Sequence, residues 1–256
     1  MNIRILGAHN SESSSSSCVT FIIDDKLAVE AGGLTAHLSI SEQRDIEAVI
    51  LTHHHMDHVR DIPTMAYNFY NAGVHLNIYA MAVVNEVIRT HLLNALIYPE
   101  FQKIPEGQPI VRFMPVEPYE EQWINGFTIL PVPVRHAAAS VGYQISDTHG
   151  IAIFYTGDTG PDLAECWRHI SPQLLMIDVT MPDGHEDFVV KTGHLTPRLL
   201  ERELISFRDI KGYLPRVVAI HIDASHETEI REGLALVGEH LSIPIDVAYE
   251  GMLLEL

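Results

Sequence analysis

Apolar and β-branched residues gather in short runs at the start of the chain: "IRIL", "VTFIID", "KLAVEAG" and "IEAVILT". Such runs, bounded by polar or Gly-containing turns, predict strands. The serine run at 13–17 lies between the first two and reads as a loop. After residue 60 the period changes. "DIPTMAYNFYNAG" reads as a helix, "LNIYA" as a strand, and "AVVNEVIRTHLLNALI" as a second helix. In that helix Val84, Val87, Ile88, Leu92, Ala95 and Leu96 recur at the 3.6-residue period. The stripe predicts one buried face along 82–97, with His91 packed on or beside it.

The C-terminal half repeats the mixture. Strands are predicted at "PIVRFMP", "FTILPVPV", "VGYQI", "IAIFYT", "LLMIDV", "VVAIHI" and "IDVAY", and helices at 197–208 and 226–238. Thr196 before Pro197 fits an N-cap followed by proline at the first helical position. Many strands in each half, with helices between them, predict an α/β (α+β) layout of sheets covered by helices. No repeat at solenoid spacing and no long linker interrupts it, so 1–256 reads as a single domain.

Composition narrows the setting. The chain is 46% hydrophobic, enough for a sizeable core. No apolar run reaches the ~18 residues of a membrane span. "MNIRILGAHNSESSSSSC" lacks the charged and then apolar order of a secretory signal. Cys18 and Cys166 are too few and too far apart for a disulfide framework or a zinc knuckle. A cytoplasmic location without membrane contact is expected. Asp plus Glu number 34 against 16 Lys plus Arg, a formal net charge of −18. With no Lys/Arg block, such a chain repels polyanions, so nucleic acid is not an expected partner. A homodimer is compatible with the sequence. Bound divalent cations would offset part of the charge.

The 16 histidines become informative by position. "LTHHHMDHVRD", residues 51–61, crowds four of them and an aspartate together directly after an apolar run. Imidazole is the commonest metal ligand, and a neighbouring carboxylate brings a cationic site toward charge balance. A polar surface loop has the same composition. Further on, His136 stands in "PVPVRHAAASVGYQI", Asp158 in "IFYTGDTGP" and His221 in "VVAIHID". Alone, each reads equally as a loop histidine, a turn former or a half-buried side chain. All three follow β-rich runs, where loops aim side chains at a common rim.

These residues resemble the metallo-β-lactamase superfamily. Its His-x-His-x-Asp-His signature stands as His53, His55, Asp57 and His58, and its later ligands as His136, Asp158 and His221. The resemblance implies a four-layer αββα sandwich with two metals on the rim between the sheets. It implies that His53, His55 and His136 hold one metal, that Asp57, His58 and His221 hold the other, and that Asp158 bridges. His54 is left as structural or as a support for the ligands. Nitrogen and oxygen ligands without thiolate suit two zinc ions, and manganese or iron also use them.

Three further stretches resemble class II cyclic-nucleotide phosphodiesterases. "KTGHLTPRLLEREL" resembles their Gly-His-Leu-Thr-Pro segment, "THLLNALIYPEF" their His-x-x-Asn segment, and "LLMIDVTMP" their acidic strand end, here Asp178. Met56 and Asp61 depart from the family's usual Leu and small residue. Asp223 replaces a usual lysine after His221 and Ile222, which removes a phosphate contact. In the related transfer-RNA 3′-processing nucleases a histidine pairs with the acid of the preceding strand end, and His194 and Asp178 match those positions. The resemblance implies that Asp57, Asp178 and His194 are catalytic, with His194 protonating the leaving oxygen. A helix-capping role for His194 is the alternative.

The expected activity is hydrolysis of a small phosphodiester, a 3′,5′-cyclic nucleotide (cyclic AMP or cyclic GMP), to the 5′-monophosphate. Alternatives are a transfer-RNA 3′-processing-type ribonuclease, an ester, thioester or lactone hydrolase on the same metals, and a non-enzymatic metal-bound sensor. "EAGG" resembles the superfamily's Asp-x-Gly turn, with Glu30 in place of aspartate shaping the loop. "YPEFQKIPEGQP" at 98–109 reads either as a lid over the nucleobase or as a surface loop.

Overall fold

The alternation of apolar residues along the strands sorts the core into three layers. The computed structural model describes residues 1–256. One sheet has seven strands: β1 (Asn2–Gly7), β2 (Thr20–Ile23), β3 (Leu27–Val29), β4 (Ala48–Ile50), β5 (Leu76–Ala80), β6 (Val111–Pro115) and, at its other edge, β14 (Leu253–Glu255). Their order is β14-β1-β2-β3-β4-β5-β6. The second sheet holds β7 (Gln122–Ile124), β8 (Phe127–Pro133), β9 (Val141–Ser146), β10 (Ala152–Tyr155), β11 (Leu174–Asp178), β12 (Arg216–Ile220) and β13 (Ile245–Val247), in the order β13-β12-β11-β10-β9-β8-β7.

Successive strand residues face opposite sides of a sheet. Phe21, Ile23, Val29 and Ile50 therefore meet Ile145, Tyr155, Met176 and Val218 in the core between the sheets. Their neighbours Ile22, Ala28 and Val49 point the other way, and so do Phe154, Leu175 and Val217 on the second sheet. Two helical layers cover those outer faces. The first consists of α1 (Leu34–His37), α2 (Ile40–Asp45), α3 (Met56–Val59), α4 (Ile62–Ala72) and α5 (Ala82–Val87). The second consists of α6 (Ala164–His169), α7 (Glu186–Thr192), α8 (Pro197–Lys211) and α9 (Glu227–Leu241). This is the expected αββα sandwich. β3 to β6 and β10 to β13 run parallel, because helical crossovers return the chain to the same edge.

Several sequence readings need correction. The helix predicted over 82–97 leaves α geometry after Val87, widens into a π-turn at Ile88–Leu92 and ends. Asn94 Oδ1 accepts the backbone N–H groups of Leu96 and Ile97, each at 3.0 Å, and so competes with helix continuation. Ala95 adopts φ +64, and Leu96 and Ile97 are exposed. His91 is exposed in the π-turn rather than packed. β7, β14, α1, α2, α3, α6 and α7 were not foreseen. The 98–109 segment is anchored, since Phe101 is buried in the first outer core and its ring meets that of Tyr70. Asp61 is buried, and its carboxylate accepts Thr35 N–H at 2.7 Å at the start of α1.

Candidate metal centre

The seven candidate ligands and Asp178 lie at the C-terminal end of a strand or just beyond it, whereas His194 lies between α7 and α8. His53, His55, Asp57 and His58 follow β4, His136 follows β8, Asp158 follows β10, Asp178 ends β11, and His221 follows β12. The parallel strands direct these ends to one rim across both sheets. His221 sits there with φ +65, a left-handed conformation uncommon for a side-chain-bearing residue. Two backbone bonds hold it, from His221 and Ile222 N–H to Ala8 C=O at 2.8 and 3.1 Å.

Two donor groups share one residue, and a third set, Asp158, Asp178, His194 and His221, overlaps them through Asp158 and His221. His53, His55, His136 and Asp158 converge, and so do Asp57, His58, His221 and Asp158. Asp158 turns one oxygen to each. Its Oδ2 lies 3.6 Å from His53 Nε2 and 3.8 Å from His136 Nε2. Its Oδ1 lies 3.2 Å from His58 Nε2 and 3.3 Å from His221 Nε2. His55 Nδ1 is 3.1 Å from His136 Nε2, and Asp57 Oδ2 is 3.3 Å from His221 Nε2.

These separations fit metal ions. Two donors bound about 2.1 Å from one ion at tetrahedral angles stand about 3.4 Å apart. His53 Nε2, His58 Nε2 and Asp158 Oδ1 are buried without a hydrogen-bond partner. Buried polar atoms are normally paired, so three convergent orphans point to an ion as the missing partner. The donor set therefore fits a dimetal centre of divalent ions. Proton affinities agree in part. Burial, joined by the neighbouring imidazoles, holds His53, His55 and His136 below the usual histidine range, which favours the neutral form a metal requires. Burial alone would raise the Asp57 and Asp158 carboxyls, but the surrounding histidines pull both well below the usual range.

A further set of residues orients these ligands, and the sequence reading missed most of it. Thr52 Oγ1 donates to Glu30 Oε1 at 2.5 Å and stands 3.0 Å from His53 Nδ1. Glu30 Oε1 also lies 3.3 Å from His58 Nδ1. One buried carboxylate thus faces a histidine of each donor group, through Thr52 for His53 and as an ion-pair contact for His58. The same relay recurs in the second sheet. Thr180 Oγ1 donates to Asp178 Oδ1 at 2.6 Å and stands 2.8 Å from His221 Nδ1. Holding Nδ1–H in this way turns the Nε2 lone pair inward. Thr52 adjoins His53 in sequence, but nothing in the pattern distinguished it from a strand threonine. His136 Nδ1 donates to Gly193 C=O at 3.0 Å. A Cβ on Gly193, at φ +82, would meet His136 Cα at 2.6 Å.

His194 stands beside both groups. Its Nδ1 is 2.7 Å from Asp178 Oδ2, and its ring stacks on His221 with centroids 5.3 Å apart at 10°. Burial would lower its pKa, but the charge and hydrogen bond of Asp178 outweigh this and raise it to about 9. It is not the N-cap of α8, because Thr196 Oγ1 accepts Leu199 N–H there. His54 belongs to neither donor group, and its Nδ1 is buried without a partner. Asp223 is held in the turn before α9, accepting Ser225 N–H at 2.9 Å and facing His226 Nδ1 at 3.0 Å. No helix is long and apolar enough to cross a membrane.

Comparison with curated protein sequences returned no match. Among solved structures, unliganded yeast PDE1 superposes with a TM-score of 0.85 at 18% identity, covering 100% of this chain and 99% of its own. The metallo-β-lactamase fold protein YhfI from Bacillus subtilis gives 0.74 at 18% identity, with 99% and 98% covered. The short form of human tRNase Z gives 0.68 at 15% identity, with 100% and 99% covered. At these identities the likeness establishes the fold. By sequence, the beta-lactamase superfamily domain matches residues 29–222. That match runs from the end of β3 to the residue after His221 and takes in every donor at the rim, and the chain belongs to the beta-lactamase superfamily.

Proposed function

We propose that this protein is a dimetal hydrolase of phosphodiesters that opens a 3′,5′-cyclic nucleotide, cyclic AMP or cyclic GMP, to the 5′-monophosphate. The observation that carries the reading is the 2.7 Å contact of His194 Nδ1 with buried Asp178, beside the two donor groups. His53, His55 and His136 would hold one ion, Asp57, His58 and His221 the other, and Asp158 both. Such a pair supplies hydroxide near neutral pH and stabilises developing charge on phosphoryl oxygens. The nitrogen and oxygen donors suit zinc. Residues 1–256 act as one domain in this reading.

The chain's own residues do the rest. Asp57, in one donor group with Asp158, would help hold the ion that supplies hydroxide. Asp178 takes Nδ1–H of His194 and favours the protonated ring, so that Nε2 donates to the departing 3′ oxygen. The side chain of His194 is 14% exposed, which leaves it reachable by substrate. A ribose alkoxide is a poor leaving group and needs that proton. Thioesters and activated esters do not, so the Asp178–His194 pair favours a phosphodiester over them. A transfer-RNA substrate shares the chemistry, but a formal charge of −18 with no basic arm opposes a long polyanion.

The test is product analysis with cyclic AMP and cyclic GMP in zinc- and manganese-loaded protein. Release of 5′-monophosphate is expected. No 5′-monophosphate from either, together with cleavage of transfer-RNA precursors or thioesters, would overturn the reading.

A further inference from the structure

Beside the rim lies a cleft of about 410 Å³, bounded by the loop before His136, the turn at 160–162 and the end of α7. Arg135 and Lys191 line it, with Asp162 as its only carboxylate. Two cations against one carboxylate make this a locally basic spot on a chain of formal charge −18. Arg135 pairs with Asp162 at 2.8 Å, and both side chains are largely exposed. Lys26 and Lys103 are ion-paired, whereas Lys191 is not. Val134, Ala137, Pro161 and Val190 add apolar wall. Its size is that of a small-molecule site.

The cleft is tied to the candidate centre. Arg135 directly precedes the donor His136, and adjacent Cα atoms are about 3.8 Å apart. Lys191 precedes His194 by three residues, with Gly193 packed against His136 between them. An anion held here would lie next to a phosphodiester at the rim. A 3′,5′-cyclic nucleotide has one phosphate and leaves the cleft unused. A short linear dinucleotide with a terminal phosphate has two, one bond path apart, and would span both places.

We propose that the Arg135–Lys191 cleft binds a second phosphoryl group, and that the protein also cleaves short linear dinucleotides bearing a terminal phosphate. Water adds to the internal phosphorus, the bond to the 3′ oxygen breaks, and that oxygen leaves protonated. The inference rests on the phosphodiester reading above and extends its substrate class. It also reconciles the acidic surface with a nucleotide ligand, because only a short anion contacts this basic spot.

The experiment compares pApA with ApA, which lacks the terminal phosphate. In metal-loaded protein kcat/KM for pApA should exceed that for ApA by about tenfold, the scale of two exposed charge pairs. Arg135→Gln with Lys191→Gln should bring the ratio to about one, through KM and with kcat and hydrolysis of bis(p-nitrophenyl) phosphate unchanged. Asp162→Asn, which frees Arg135, should raise the ratio. A purely structural role for these residues would not move it in opposite directions. A wild-type ratio of one, or a ratio untouched by the double substitution, overturns the proposal. Equilibrium binding of the two dinucleotides to metal-loaded His194→Ala protein separates the two readings. If no diester is hydrolysed, the phosphodiester reading falls. A binding preference for pApA that the double substitution removes then still supports the cleft, and its absence refutes it.

Discussion

Truncating His194 to alanine separates proton donation from metal binding. The imidazole contributes to neither principal donor group, and its Nδ1 is committed to Asp178 at 2.7 Å. The variant should therefore retain the metal content of the wild type. In the proposed reaction it loses the proton donor, an imidazole held by a hydrogen bond to Asp178 and by a stack on His221 at 5.3 Å. General acid catalysis is worth ~10²–10⁴-fold. At 1.36 kcal/mol per decade this raises the barrier by about 2.7–5.4 kcal/mol. A ribose alkoxide places cyclic nucleotides in the upper part of that range, while a nitrophenolate departs with little help. The assay is kcat/KM over a series of diesters of graded leaving-group pKa, with metals quantified in the same samples. The loss should grow with leaving-group pKa. An equal loss on nitrophenyl and nucleotide diesters would refute acid catalysis, and loss of metal would make His194 a ligand instead. Asp178→Asn should show a smaller loss with the same dependence.

Three other outcomes follow from the contacts. Asp158→Ala removes the oxygens that face both donor groups, so elemental analysis should show metal lost from both sites; full occupancy would sink the bridging role. Glu30→Gln disturbs His58 directly and His53 through Thr52, and should weaken metal affinity about 10–100-fold in competition with a chelator. If affinity is unchanged, Glu30 only shapes its loop. Gly193→Ala puts a Cβ 2.6 Å from His136 Cα at a positive φ, and should lower the melting temperature by the equivalent of about 1–3 kcal/mol. An unaltered melting temperature would show that the α7–α8 turn yields freely.

Local pattern carried much of the architecture. The short apolar runs "VTFII" and "LLMID" predicted strands, and Thr196-Pro197 marked the start of α8. Where local competition decided the backbone, the pattern misled. The apolar stripe ran on through Leu96, but the Asn94 side chain captured the next backbone N–H groups and ended the helix. Short elements such as α7 and the edge strand β14 have too few residues to show a period.

The chemical identity of the candidate donors was legible because their spacing is a matter of chain order, and four of them lie within six positions of one another. Which of them face one another was not. His53 and Asp158 are far apart in sequence and meet only because strand ends of two sheets converge on one rim. The division of Asp158's oxygens between two groups, the Thr52 contact with Glu30 and the Thr180 contact with His221 are long-range contacts of a few ångströms. Tertiary packing alone decides these, because hydrogen bonding and ligation depend on distance and direction, which residue order does not encode. The basic cleft has the same origin. Arg135 and Lys191 are unremarkable charges in a strongly acidic chain until the fold places them in the wall of one cleft.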